Sequence, residues 1–211
     1  MGASKKEKGI FTKIWEVIAG KQGSDEIDQE SGNLQYRDAQ SKAVDLQFVE
    51  QFNASGGKFL YCEEEKEAYQ YLHSIRQESS IERVFCPDDN FRSILQKAGI
   101  QLSENHQDAD AFCSGCEYLV SFNGGIMLTD RQTKGLKYPE LPQVFITLAH
   151  TSQITKNISS ALSGIRQRYT GNLPSDISTI KGMKNQDSVS EPGGSRFVNK
   201  EIYLLLVEDQ L

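Results

Sequence analysis

From residue 58 onward, short apolar runs alternate with longer amphipathic stretches, and this alternation leaves few architectures open. Lys58–Cys62 (KFLYC) reads as a strand, and Glu64–Gln77 follows with Ala68, Tyr71, Leu72 and Ile75 at helical spacing. Glu82–Cys86 predicts the next strand, residues from about Asn90 to Ala98 a helix, and Ala109–Cys113 a third strand. Gly125–Leu128, Val144–Ala149, Ile177–Ile180 and Ile202–Val207 predict further strands. Thr151–Tyr169 predicts a helix that opens on a Thr or Ser cap and ends near Gly171. Repeated strand–helix–strand units force parallel neighbours joined by right-handed crossovers, with helices on both faces. The expectation is an α/β fold, three-layer α/β/α, with a mostly parallel sheet. The shorter later connections leave room for antiparallel pairs.

Upstream, a helix is predicted from about Arg37 to Asn53, buried through Ala39, Val44, Leu46, Phe48, Val49 and Phe52 and stopped by Gly56 and Gly57. Residues 20–34 (GKQGSDEIDQESGNL) have a linker's composition. Before them, Ile10, Phe11, Ile14, Trp15, Val17 and Ile18 fall at helical spacing, with Lys13 and Glu16 interrupting what a secretory signal would need as one apolar stretch. Two units follow: an N-terminal amphipathic helix with linker over 1–34, and an α/β domain over 35–211. A cytoplasmic location is expected, with the four cysteines reduced. No apolar run approaches the ~20 residues needed to span a bilayer. The 23 Lys and Arg against 29 Asp and Glu give a net charge of 23 − 29 = −6. That balance argues against a general nucleic-acid binder, whose affinity comes from cations on phosphates.

In a parallel sheet, ligands bind outside the carboxyl ends of the strands, and this rule selects candidates. Cys62, Cys86 and Cys113 stand at predicted strand ends, and Cys116 follows Cys113 at the C-x-x-C interval. Thiolates bind soft metals and C-x-x-C thiols are redox-active, so these four are the metal or redox candidates. Against that, cysteine is a small hydrophobe suited to a buried strand end. Ser121-Phe122-Asn123-Gly124-Gly125 offers backbone amides to an anion, or simply an Asn-Gly hairpin turn. Glu191-Pro192-Gly193-Gly194-Ser195-Arg196 offers amides, a hydroxyl and a guanidinium to phosphate or carboxylate, or is an ordinary surface loop. His150 follows the strand ending at Ala149, where it would serve as an acid–base group or orient a carboxylate; a structural role is the alternative. The ligand-binding set is therefore Asn123, Gly124, Gly125, His150, Gly193, Gly194, Ser195 and Arg196, with His150 the catalytic candidate. Glu117 and Asp187 are carboxylates near the same edge, whereas His73 and His106 look ordinary. No G-x-S-x-G elbow, Walker loop, H-E-x-x-H or G-x-G-x-x-G occurs, so the chemistries they support lack their usual signatures.

The stretch from Asp108 to Tyr169 carries a family likeness in its order. DADAFCSGCEYLVSFNGGIMLTD gives an acidic-alanine strand, a glycine loop and a strand; KGLKYPELPQVFITLAHTSQITKNISSALSGIRQRY gives a Leu141-Pro142 turn, an apolar strand and a helix. In this order it resembles the LUD-domain family, whose members include lactate utilisation protein C. The resemblance implies a NagB/RpiA/CoA-transferase-like fold over about 35–211 and a part in oxidising L-lactate to pyruvate beside iron–sulfur protein partners. It also places any iron–sulfur cluster in a partner rather than in this chain. Two segments depart from the family pattern. Phe122-Asn123-Gly124 replaces a Glu-Thr-Gly step, and Lys181-Gly182-Met183…Gln186-Asp187-Ser188 replaces a Gly-Pro-Ser…Asp-Ile-Glu segment.

Three functional readings follow. The first is an accessory or subunit protein of lactate oxidation that binds a small carboxylate or phosphorylated ligand. Another is an independent enzyme on a sugar phosphate or acyl-CoA, by fold analogy. The third is a noncatalytic interaction module docking through residues 4–19, on a partner or across a homodimer.

Overall fold

The computed structural model describes residues 34–182 and 200–209, with side chains from residue 44. The helix α1 (Leu34–Ala54) leads into β1 (Lys58–Cys62), α2 (Glu65–Glu78), β2 (Arg83–Phe85), α3 (Asp89–Lys97), β3 (Gln101–Ser103) and β4 (Ala111–Ser114). Then come β5 (Tyr118–Val120), β6 (Gly125–Thr129), the short α4 (Asp130–Thr133) and β7 (Val144–His150). The described elements end with β8 (Ile154–Thr155), α5 (Ile158–Arg168), β9 (Ile177–Ile180) and β10 (Glu201–Val207).

Six strands make one sheet in the order β1-β10-β7-β4-β2-β3, and every pairing in it is parallel. Side chains alternate across it, as the two-residue period of a strand requires. On β10, Tyr203, Leu205 and Val207 join the core under α2 and α3, with Leu72, Ile75, Ile94 and Leu95. Ile202, Leu204 and Leu206 point the other way, into a core with Phe48 and Phe52 of α1 and with Phe112 and Phe145. A strand buried on both faces reads as an unbroken apolar run, which is why IYLLLV is so distinct. Helices on both faces of a parallel sheet satisfy the α/β expectation.

The chain also builds a second sheet, order β8-β5-β6-β9. It arises from two excursions: β4 leaves the main sheet to make the β5–β6 hairpin before returning as β7, and β7 leaves to make β8, α5 and β9 before β10. Leu119, Ile126 and Leu128 face the α1 core, while Val120 and Met127 face outward and are covered by Ala161 and Ile165 of α5. Ile177–Ile180 therefore pairs with β6 rather than extending the main sheet. The helix expected from Thr151 starts at Ile158, because Ile154–Thr155 pairs with Leu119–Val120 and Asn157 caps the helix by accepting from the Ser160 amide at 2.9 Å. Residues Thr151–Gln153 form a single 3-10 turn instead. Among the described residues no helix is long and apolar enough to cross a membrane. The segment 4–19 and the loop Gly193–Arg196, with Asp187, lie outside the described residues.

Candidate functional site

The carboxyl ends of β7 and β10 finish level, with Val207 opposite His150. Beyond them, between the first turns of α2 and α3, lies a cavity of about 460 Å³. Its walls are Glu65 of α2; Asn90, Phe91 and Ile94 of α3; Leu148, Ala149 and His150 of β7; and Val207, Glu208 and Asp209. Each wall has a local cause. Asp88 caps α3 by accepting from the Asn90 amide at 3.0 Å, which turns Asn90 and Phe91 toward the sheet edge. Phe91 lies against the end of β4, where a Cβ on Gly115 would come within 2.9 Å of its ring. The Glu208 amide donates to the Cys62 carbonyl at 2.9 Å and its carboxylate accepts from the Tyr61 hydroxyl, so the segment after β10 stays tied to β1.

His150 is half exposed, and its Nδ1 stands 3.8 Å from Asp209 Oδ1. Asp209 also accepts from Thr151 Oγ1 at 2.7 Å and from the Ser152 amide at 2.6 Å. Burial works against its charge, but these donors and the nearby His150 hold its carboxyl below the usual range. On α1, Asp45 is pushed up to about 6, first by burial and then by the charge of Glu208. The cavity thus sets one imidazole among the carboxylates Glu65, Glu208 and Asp209, and among the described residues no Lys or Arg lines it. Such a pocket can accept hydroxyl or ammonium donors on its carboxylates and move one proton at His150.

Of the described members of the predicted ligand-binding set, His150 alone lines this cavity. Asn123, Gly124 and Gly125 form the β5–β6 hairpin turn, where Asn123 Oδ1 accepts from the Gly125 amide at 3.0 Å. Gly124 has φ +63° and is pressed against the backbone of Gln51 and Phe52, near the end of α1 that leads into β1. That contact is at the amino-terminal side of the main sheet, away from His150. Gly193, Gly194, Ser195 and Arg196 lie outside the described residues; the neighbouring Lys200 is anchored at the same amino-terminal side, donating to the carbonyls of Leu141 and Pro142.

The four thiols do not converge. Cys62, Cys86 and Cys113 lie in the core under α2 and α3, while Cys116 lies in the opposite core. Odd and even strand positions face opposite sides, so the three-residue step that suggests C-x-x-C carries Cys116 through the sheet. Among the described residues no group of three or more His, Cys, Asp or Glu is placed to hold a metal ion. An iron–sulfur cluster needs its thiolates gathered around one point; three of the four share a core without such a grouping and the fourth lies in the opposite core, so a cluster does not fit this arrangement.

Glu117 is fully buried in the second sheet. It accepts from Arg168 Nη1 at 2.6 Å, the Tyr169 hydroxyl at 2.8 Å and Gln132 Nε2 at 2.8 Å, tying α4 and α5 to β5. Gln153 bridges this region to the cavity edge: its Oε1 accepts from the His150 amide at 2.7 Å, and its Nε2 donates to the Cys116 carbonyl. The wall residues Glu65, Asn90, Glu208 and Asp209 were missed by the sequence reading. The strand-end rule reaches all four once it is applied to every strand and to the helix that follows, rather than to Cys, His and Gly alone.

A parallel α/β domain with a cavity at its carboxyl edge is a ligand-binding architecture. The LUD domain family model matches residues 87–207, and the chain belongs to that family. The crystal structure of a DUF162 family protein from Deinococcus radiodurans is similar in fold, with a TM-score of 0.56 at 15% identity, covering 80% of this chain and 98% of that one. No curated protein matches the sequence.

Proposed function

We propose that this LUD-domain protein is an accessory subunit in oxidation of L-lactate to pyruvate, working beside iron–sulfur proteins and holding a small monocarboxylate in the carboxyl-edge cavity. The supporting observation is the placement of His150, paired with Asp209, on the wall of that cavity. In this reading a ring N–H of His150 donates to the ligand carboxylate, with Asp209 standing 3.8 Å from Nδ1. The other wall carboxylates suit the hydroxyl of a 2-hydroxy acid as hydrogen-bond acceptors.

The lining favours a monoanion over a phosphorylated ligand. A phosphate dianion beside Glu65, Glu208 and Asp209 would meet like charge, with no Lys or Arg among the described wall residues to offset it. This weighs against the sugar-phosphate and acyl-CoA reading. Titration of the full chain with L-lactate, pyruvate and ribose 5-phosphate, followed by amide chemical shifts, tests the choice. Saturable shifts at Leu148, His150 and Val207 with lactate or pyruvate, lost in His150→Ala, are expected. Shifts with the sugar phosphate alone, or none at these residues with any ligand, would overturn it.

A further inference from the structure

We propose that Cys86 and Cys113 form a reversible disulfide beneath the first turn of α3, an oxidant-sensitive modification site that alters one wall of the cavity. The register between β2 and β4 pairs Val84 with Ala111 and Phe85 with Phe112, so the next step sets Cys86 opposite Cys113. Both side chains point into the same core, under α2 and α3. Adjacent strands lie ~4.8 Å apart, inside the Cα separation of ~4.4–6.8 Å that a disulfide accepts. The two thiols are close enough to shift each other's proton affinity in opposite directions.

Their position links them to the cavity. The Cys86 thiol donates to the Asp88 carbonyl at 3.3 Å, and Asp88 is the cap of α3. Closing an S–S bond takes that hydrogen from the cap, and the turn it supports carries Asn90 and Phe91 into the cavity wall. The pair is also polarised. Hydrogen bonding from Cys113 holds the Cys86 thiol below its ordinary value and pushes Cys113 up, while burial raises Cys62 to about 12 and Cys116 higher still. Cys86 is therefore the nucleophile.

With hydrogen peroxide as oxidant, the Cys86 thiolate attacks one oxygen. The O–O bond breaks, an S–O bond forms, and the departing hydroxide takes up the proton released from Cys86. The Cys113 thiol then attacks the Cys86 sulfur; the S–O bond breaks, the S–S bond forms, and the second hydroxide leaves as water with the Cys113 proton. Two thiols and one peroxide become one disulfide and two waters, the two sulfurs supplying both electrons. None of this depends on which ligand the cavity takes.

Peroxide treatment of the full chain, followed by thiol counting in denaturant, is expected to lower the count from four to two, with recovery on adding dithiothreitol. Trypsin should then yield peptide 84–92 linked to peptide 98–131, lighter by two hydrogens than the separate pair. The link should survive in Cys116→Ala and vanish in Cys113→Ser. Amide exchange over residues 89–94 should speed up several-fold in the oxidised chain, with 158–168 unchanged. Four intact thiols, a bridge to Cys62 or Cys116, sulfinic acid on Cys86 with Cys113 untouched, or equal exchange in both forms would each overturn the proposal. The thiol count, a bridge to Cys62 and the sulfinic acid are read on the native sequence, so a poorly folding variant does not blunt the test.

Discussion

Asp45 carries a charge its surroundings disfavour, and its effect on stability has a definite sign. Its folded-state pKa, about 6, lies above the unfolded carboxyl value, so the native state binds the proton more tightly. The stability this contributes is fully present below about pH 4 and is lost as pH rises through about 6. Asp45 is only half buried, so solvent screening limits the effect to about 1 kcal/mol. Asp45→Asn should therefore gain stability over the native chain as urea midpoints are followed from pH 4 to pH 7, with the difference flat above pH 7. Gly124 tests the hairpin turn in the same way. A Cβ there would sit 2.4 Å from the Phe52 amide nitrogen and 2.5 Å from the Gln51 carbonyl carbon, backbone atoms that cannot turn aside. Gly124→Ala should cost about 2–4 kcal/mol by denaturant unfolding, combining a positive φ with overpacking. Gly135, with φ +75° and nothing within 4 Å, is the control, and its alanine variant should lose about 1 kcal/mol.

Among the elements, those with a strong periodic pattern were legible and most of the shortest, β2 excepted, were not. The run IYLLLV and the spacing of Ala68, Leu72 and Ile75 identify β10 and α2 because a buried face repeats over several residues. Strands β3, β5 and β8 have two or three residues each, too few for any period, and exist because a partner strand is in place. The helix read from Thr151 was too long for the same reason: only pairing with β5 reveals that Ile154–Thr155 is extended. The site followed the same logic. His150 stood out as a rare residue at a strand end, whereas Glu208 and Asp209 are two among 29 acids and acquire meaning only from the walls that α2 and α3 bring up to them. Glu117 shows what such context is worth. Removing its carboxylate leaves Arg168, Tyr169 and Gln132 without their common acceptor and loosens α4 and α5 from β5. Glu117→Ala should destabilise the domain by about 2–4 kcal/mol by urea unfolding, with Arg168's partial exposure keeping the loss below that of a fully enclosed pair. Protease cuts should concentrate first within 158–172.

At the scale of the whole molecule, strand order departs most from chain order at the β1 edge of the sheet. Among the described residues β1 has β10 as its only sheet neighbour, and β10 alone joins β1 to β7. A chain stopped before residue 201 should lack cooperative unfolding, read as a broad urea transition with a diminished slope. During translation, β1 leaves the ribosome well before its partner β10 exists. The nascent protein must keep that exposed edge from other chains until the far segment emerges and wedges itself in. Slow synthesis or crowding at this stage is therefore the hazard this topology imposes, and a holding chaperone is the kind of helper such a wait calls for.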